Sequence, residues 1–388
     1  MQKIRKLSLI LSSVFLFTLN PSYAEYKLEK IETKESIGFL EKLFKKFNFC
    51  SSVSEKYDEW RKKQVLVCKG KGISEVEGDD YCEREPRQYV KVNLLGGDDG
   101  LLIDIYSDCI PHAESFGFSL FVENNNCYIL PRMGESVEFL GKVTNTNDKK
   151  EALLVHGRVM FQGQLSDYIQ KCFIRENKFV CKNIIYAEDY EGMALERSHI
   201  SVSLGRINLG DNYLAVKGEI IKASKKASRK YPFEARFILN QNTGDLILKE
   251  LLINKQFISV LSKEELPAND YLRKNPEIKA YLDEIIKKHK ILVRESVVNK
   301  IDIIYEGKQY TVISFLYKDG GTYATIAIPN DAKNPKLYKI HSGEANIFSG
   351  DKNLPEAVRA SLLFFSNVSL EGRELYGDMI RIKCKRGV

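Results

Sequence analysis

The chain predicts a mainly β protein with a few helices (α+β), built from antiparallel meander sheets and stabilised by disulfides. Three observations carry that expectation. Alternating apolar and polar runs of strand length recur from Val90 to Ile328, punctuated by Gly, Asn and Asp. Eight cysteines accompany an N-terminal stretch with the pattern of an export leader. Two stretches near the middle share one order of strand, loop and hairpin, which points to a duplicated unit.

The leader is read over residues 1–24. Lys3, Arg5 and Lys6 precede the apolar run Leu7 to Leu19, and Ser22-Tyr23-Ala24 offers a small-residue cleavage site before Glu25. That run is too short to span a bilayer, and no later apolar stretch reaches spanning length. The expectation is an exported protein, periplasmic or secreted, that is not an integral membrane protein. The remainder divides into a cysteine-rich α+β domain (25–135), an antiparallel β region with an internal repeat and a closing helix (136–295), and a C-terminal α+β segment (296–388). The formal charge of +7 includes three cations of the leader, which leaves +4 for the rest. So small an excess argues against nucleic acid.

Cys50, Cys68, Cys82, Cys109, Cys127, Cys172, Cys181 and Cys384 include no Cys-x-x-Cys pair, so zinc-ribbon and dithiol redox chemistry lack support. No metal or cofactor is expected. One pairing follows from register. A two-residue loop at Glu176-Asn177 sets Arg175 opposite Lys178, and Cys172 then faces Cys181 in the closer, non-hydrogen-bonded class of pair. The five cysteines from Cys50 to Cys127 cannot close among themselves, so Cys384 is expected to join one of them and return the C-terminal tail to the first domain. The connectivity of these six stays open.

In chain order, Thr33 can cap an amphipathic helix to about Phe47, with Ile37, Leu40, Phe44 and Phe47 on one face and Lys42, Lys45 and Lys46 on the other. Packing on its own sheet is the more economical role for it than lying on a membrane. Val90 to Leu95 and Leu101 to Tyr106 read as strands around Gly96-Gly-Asp-Asp-Gly100. The duplicated units follow. The first runs through Ala152–Met160, Tyr168–Ile174 and Phe179–Tyr186, the second through Tyr213–Ile221, Tyr231–Ile238 and Leu246–Ile253. Aligned on Tyr168 and Tyr231, they set Cys172 on Ala235 and Cys181 on Leu248.

Lys222, Lys225, Lys226, Arg229 and Lys230 form a basic loop that could meet an anionic partner, although a solvated connection is the commoner role. Pro276 opens a helix with Ile278, Tyr281, Leu282 and Ile285 on one face. Strands at Ile301–Tyr305, Tyr310–Tyr317 and Thr322–Ile328 and a helix from Pro355 to Phe365 complete the chain.

None of the five histidines sits in a zinc-binding helical pair, and no nucleophile elbow, phosphate loop or dinucleotide fingerprint occurs, so no catalytic residue is assigned. From Ile200 to about Val293, long amphipathic strands, a hairpin ending in Gly244–Ile253 and then an amphipathic helix resemble small bacterial lipoproteins with a tubular lipid-binding fold. That resemblance covers about a quarter of the chain, without the lipoprotein cysteine. It implies a curved sheet around a helix with an apolar tunnel, and Ile278, Tyr281, Leu282 and Ile285 as ligand-facing residues. Plain core is the commoner role of such a stripe. The leading expectation is an exported non-enzymatic binding protein for an apolar or lipid-like ligand. The alternatives are an envelope or secreted factor that docks on a protein partner, and a hydrolase of the exported compartment.

Overall fold

A computed structural model of the protein describes residues 29–30, 34–47, 49–59, 62–73, 77–78, 81–96, 100–110, 117–123, 126–131, 136–144, 150–161, 164–189, 199–224, 227–289, 296–317, 322–329, 336–342, 345–347, 354–370 and 374–382. Most of them form strands in three antiparallel sheets, with four short helices. The expected leader, residues 1–24, lies outside the described residues.

The first sheet comprises β1 (Glu29–Lys30), β2 (Ser52–Asp58), β3 (Lys63–Lys71), β4 (Tyr81–Lys91), β5 (Leu101–Ser107), β6 (Gly117–Glu123) and β7 (Asn126–Leu130), with helix α1 (Lys34–Phe47) between β1 and β2. β2 to β7 form a meander, and β1 pairs on β4. Ile37, Leu40 and Phe44 of α1 enter the core of this sheet beside Leu66, Tyr89 and Ile103, while Lys42 and Lys45 face solvent. Disulfides join Cys50 to Cys68 and Cys82 to Cys109. Beside them Arg84 is buried against Glu77, with Nε 2.8 Å from Oε1, and also donates to the carbonyls of Phe49 and Lys71. Burial alone would push the Glu77 carboxyl up. The bonds from Arg84, Ser107 and the Ile73 N–H outweigh it and hold the group below its ordinary range.

The second sheet is built on β8 (Ser136–Thr144), β9 (Glu151–Phe161), β10 (Gln164–Arg175) and β11 (Lys178–Asp189). Glu176 and Asn177 both take positive φ, as a two-residue hairpin turn requires. Arg175 pairs with Lys178 and Cys172 with Cys181, and the two cysteines are disulfide-bonded at a Cα separation of 4.1 Å.

The third sheet is a ten-stranded meander of β12 (His199–Leu209), β13 (Tyr213–Ser224), β14 (Ala227–Asn240), β15 (Asp245–Ile253), β16 (Gln256–Pro267), β17 (Ser296–Tyr305), β18 (Lys308–Tyr317), β19 (Thr322–Pro329), β20 (Lys336–Ser342) and β21 (Ala345–Ile347). Helices α2 (Ala268–Lys274) and α3 (Pro276–His289) interrupt it after β16, yet β16 pairs directly with β17. The sheet therefore continues through residue 296, where the sequence marked a segment boundary.

After the third sheet come α4 (Glu356–Asn367), β22 (Val368–Leu370), β23 (Glu374–Asp378) and β24 (Ile380–Ile382). Nine of the twelve α4 residues are buried, which makes it a core helix rather than a surface one. It touches β12, β15, β16, β18, β19 and β20, and the outer strands β12 and β21 approach each other, so the third sheet curls around it. β22 and β23 then pair with β11 of the second sheet and β24 with β7 of the first. Ile382 stands opposite Cys127, which is disulfide-bonded, and Cys384 lies outside the described residues.

The repeated units correspond strand for strand, but the alignment needs correction. Gly157 faces Tyr168 and Gly218 faces Phe233, so Leu153–Cys172–Cys181 in one unit matches Leu214–Phe237–Leu248 in the other. Cys172 thus corresponds to Phe237, whereas Ala235 faces Leu251. The β13–β14 hairpin extends beyond its glycine further than β9–β10 does, and that extra length slides an alignment anchored on Tyr168 and Tyr231 by two residues. The extension also places Lys222, Arg229 and Lys230 of the expected basic loop in strands, with Lys222 opposite Arg229 and Ile221 opposite Lys230.

Candidate functional site

Three polar residues that line one cleft, Glu138, His156 and Arg158, and their buried neighbour Asp167 come from neighbouring positions on one face of the second sheet. Register sets Glu138 of β8 opposite His156 of β9, and Arg158 of β9 opposite Asp167 of β10. Strand alternation keeps 156 and 158 on one face, together with Ile169 and Leu154, which enter the core shared with the third sheet. β12 covers this face, so His156 and Asp167 are buried at the junction of two sheets, while Glu138 and Arg158 stay about half exposed.

Two β-bulges face each other there. In β8 the register slips between Phe139 and Gly141 and leaves Leu140 extra; in β12 it slips between Leu204 and Ile207 and sets Gly205 and Arg206 against Lys217. A bulge turns its side chains out of the ladder direction, and Leu140, Gly205 and Arg206 all line the cleft. Gly141 holds φ +155°, and a Cβ there would come within 2.4 Å of Leu209 Cδ2, so the close approach of β8 to the end of β12 depends on glycine. Glu138, His156, Arg158 and Ile207 complete the lining of a cleft of about 300 Å³.

Asp167 is the anchor. Its Oδ1 lies 2.5 Å from His156 Nε2, and its Oδ2 accepts the Leu204 N–H at 3.2 Å beside the β12 bulge. Arg158 Nε stands 3.6 Å from the same oxygen. One buried carboxylate therefore fixes the imidazole and ties the second sheet to the third. In the neutral ring the proton on Nε2 is held by Asp167, which leaves Nδ1 as the acceptor; it lies 3.7 Å from Glu138 Oε2. Arg206 Nε donates to Asn208 Oδ1 at 3.2 Å. The cleft thus offers two guanidinium groups, one imidazole of fixed orientation and one carboxylate, over the apolar floor of Leu140 and Ile207.

The residues singled out from sequence lie elsewhere. Cys172 and Cys181 are buried on the opposite face of the second sheet, against Phe121, Phe139 and Leu153. Ile278 and Leu282 pack with Ala268, Val298, Ile313 and Phe315 in a small core of their own, away from the concavity that holds α4. The side chains of Tyr281 and Ile285 lie outside the described ones, as do Lys225 and Lys226. Lys222 is half-buried, which together with Arg229 and Arg359 lowers its pKa, while Arg229 is paired with Glu356 and Lys230 with Glu219. Cys82, Asp108 and Cys109 come within metal-ligand reach of one another, but the two cysteines are bonded to each other and offer no thiolate.

Sequence reasoning placed His156 inside a strand and gave it no role. The available signal was that Glu138, His156, Arg158 and Asp167 interrupt otherwise apolar strands on a face whose neighbours enter a core. No protein-family model, curated protein or solved structure matches the chain. Its three described disulfides mark a protein of an oxidising environment, and no described helix is long and apolar enough to cross a membrane.

Proposed function

We propose that this is an exported, non-enzymatic binding protein, periplasmic or secreted, whose ligand is a small polar molecule with an acidic group seated in the cleft between the two bulges. The observation that supports this reading is the convergence of Arg158, Arg206 and the oriented His156 on one concave site between two sheets. Arginine is suited to planar acids, and Glu138 at the mouth favours a ligand that also carries a donor. An apolar or lipid-like ligand, the class that the tubular resemblance implies, would require the concavity of the third sheet, and α4 occupies that space.

A second reading, a hydrolase, is favoured by the His156–Asp167 pair, since a buried carboxylate behind an imidazole suits proton transfer. It ranks lower because no serine, threonine or cysteine is among the described residues lining the cleft.

Native mass spectrometry of protein taken from its own compartment, compared with Arg206→Gln, tests the proposal. A small polar adduct that is present in the wild type and lost in the variant is the expected result. An extractable lipid that Arg206→Gln leaves in place would overturn it in favour of the apolar ligand.

A further inference from the structure

A second cavity, of about 400 Å³, shares no lining residue with the cleft. Its floor is the other end of β10, where Lys171, Phe173 and Arg175 alternate onto the face that carries Asp167. The Thr243-Gly244-Asp245 turn, the start of β9 at Lys150 and Glu151, Lys182 of β11 and Glu374 of β23 form the walls.

Four cations line this space, against three carboxylates. Lys171 bonds Asp245 at 2.6 Å, and Arg175 bonds Glu374 at 2.6 Å. The third carboxylate, Glu151, is bonded by Lys142, a residue outside the lining. Among the described residues the lining therefore carries one more cation than carboxylates.

Register makes that excess deliberate. Lys171 stands directly opposite Lys182, two ammonium groups on one face of adjacent strands, next to the Cys172–Cys181 pair. Like charges in this position destabilise a sheet, and Asp245, bonded to Lys171, and Glu374, opposite Lys182, offset part of that repulsion. Moreover Lys171 is about nine-tenths buried, with its ammonium also bonded to the Gly244 carbonyl at 3.0 Å and set over the Phe173 ring. Places where a fold keeps a locally unfavourable pair are where function is to be sought.

We propose that this cavity binds a phosphate-bearing group, with Lys171 and Lys182 as its principal cationic contacts, Arg175 and Lys150 at the rim, and Phe173 as an apolar wall. A phosphate dianion would relieve the repulsion of the lysine pair, and lysine ammonium groups act on phosphate as point charges from several directions. The group could belong to a soluble metabolite or to a lipid headgroup.

Calorimetric titration with pyrophosphate at low ionic strength tests the site, since surface charges are then least screened. The wild type should bind pyrophosphate, Lys182→Gln should bind it at least about tenfold more weakly, and Lys308→Gln, at an exposed lysine that is not among the described lining of either cavity, should bind like the wild type. Without pyrophosphate, the circular dichroism and thermal unfolding of Lys182→Gln should show a folded protein, so weaker binding cannot be laid to misfolding. Sedimentation with phosphatidylglycerol vesicles separates the sources: Lys182-dependent vesicle binding assigns a headgroup, and pyrophosphate binding without it assigns a soluble phosphate. If the wild type binds neither probe, or Lys182→Gln binds as tightly as the wild type, the assignment falls.

Discussion

The two repeated units, β9–β11 and β13–β15, use the same strand positions for opposite purposes. In the second unit Lys217 precedes the glycine and pairs with Glu234 at 3.2 Å on a solvent-facing surface, and Glu219 after it pairs with Lys230. The matching positions in the first unit are His156 and Arg158, and there β12 covers the face, so His156 and its partner Asp167 are buried. The other faces differ as well. Leu214, Phe237 and Leu248 pack into the core around α4, whereas Leu153, Cys172 and Cys181 pack toward the first sheet. An alternating strand fixes which residues share a face; the neighbouring layer decides whether a polar face becomes surface or site.

Breaking the matched rows should give the largest effects. Phe237→Ala should cost about 3–5 kcal/mol, as for other buried aromatic truncations. The matching double variant Cys172→Ala/Cys181→Ala should cost on the order of 2–3 kcal/mol. Urea unfolding of both reads the comparison directly, and equal losses would mean that the disulfide is stabilising mainly through its packing. The paired glycines sharpen it further. A Cβ on Gly218 would lie 2.2 Å from the Ser203 carbonyl oxygen, which is backbone, whereas one on Gly157 meets only the Tyr168 ring. Gly218→Ala should therefore lose about 2 kcal/mol and Gly157→Ala about 1.

On the opposite faces the effects shrink. Asp167→Asn should cost about 1 kcal/mol through the weakened bond to His156. Glu234→Gln, which removes a partly exposed pair, should cost under about 0.5 kcal/mol. The smallest effect is a matter of pH. Burial pushes Asp245 up, but the bond and charge of Lys171 outweigh it, so the carboxyl titrates below its ordinary range. Its contribution to stability is complete above the unfolded-state value near about 4 and is lost as pH falls through the lower folded value. Urea midpoints measured from pH 5 down to 2 should decline less steeply in Asp245→Asn.

Much of the fold was legible because it is local. The turn residues Glu176-Asn177 set the register that joins Cys172 to Cys181, and strand alternation gave most of the meander. Pro276 marked the start of α3 correctly, but amphipathicity made that helix look like the one inside the sheet. The run Ala357 to Phe365, apolar apart from Arg359 and Ser361, carried the stronger sign of a buried helix. The cleft was hidden for a different reason. Glu138, His156 and Asp167 read as unremarkable polar positions until β12, some thirty residues further along, is laid over them, and bulges have no reliable signature in a single sequence.

Residues 354–382 supply the core helix of the third sheet, two pairing strands of the second and an edge strand of the first. A ribosome delivers that stretch after all the strands it completes. Each sheet therefore waits, unfinished, on one late segment. Removing that one stretch should therefore leave all three sheets incomplete at once.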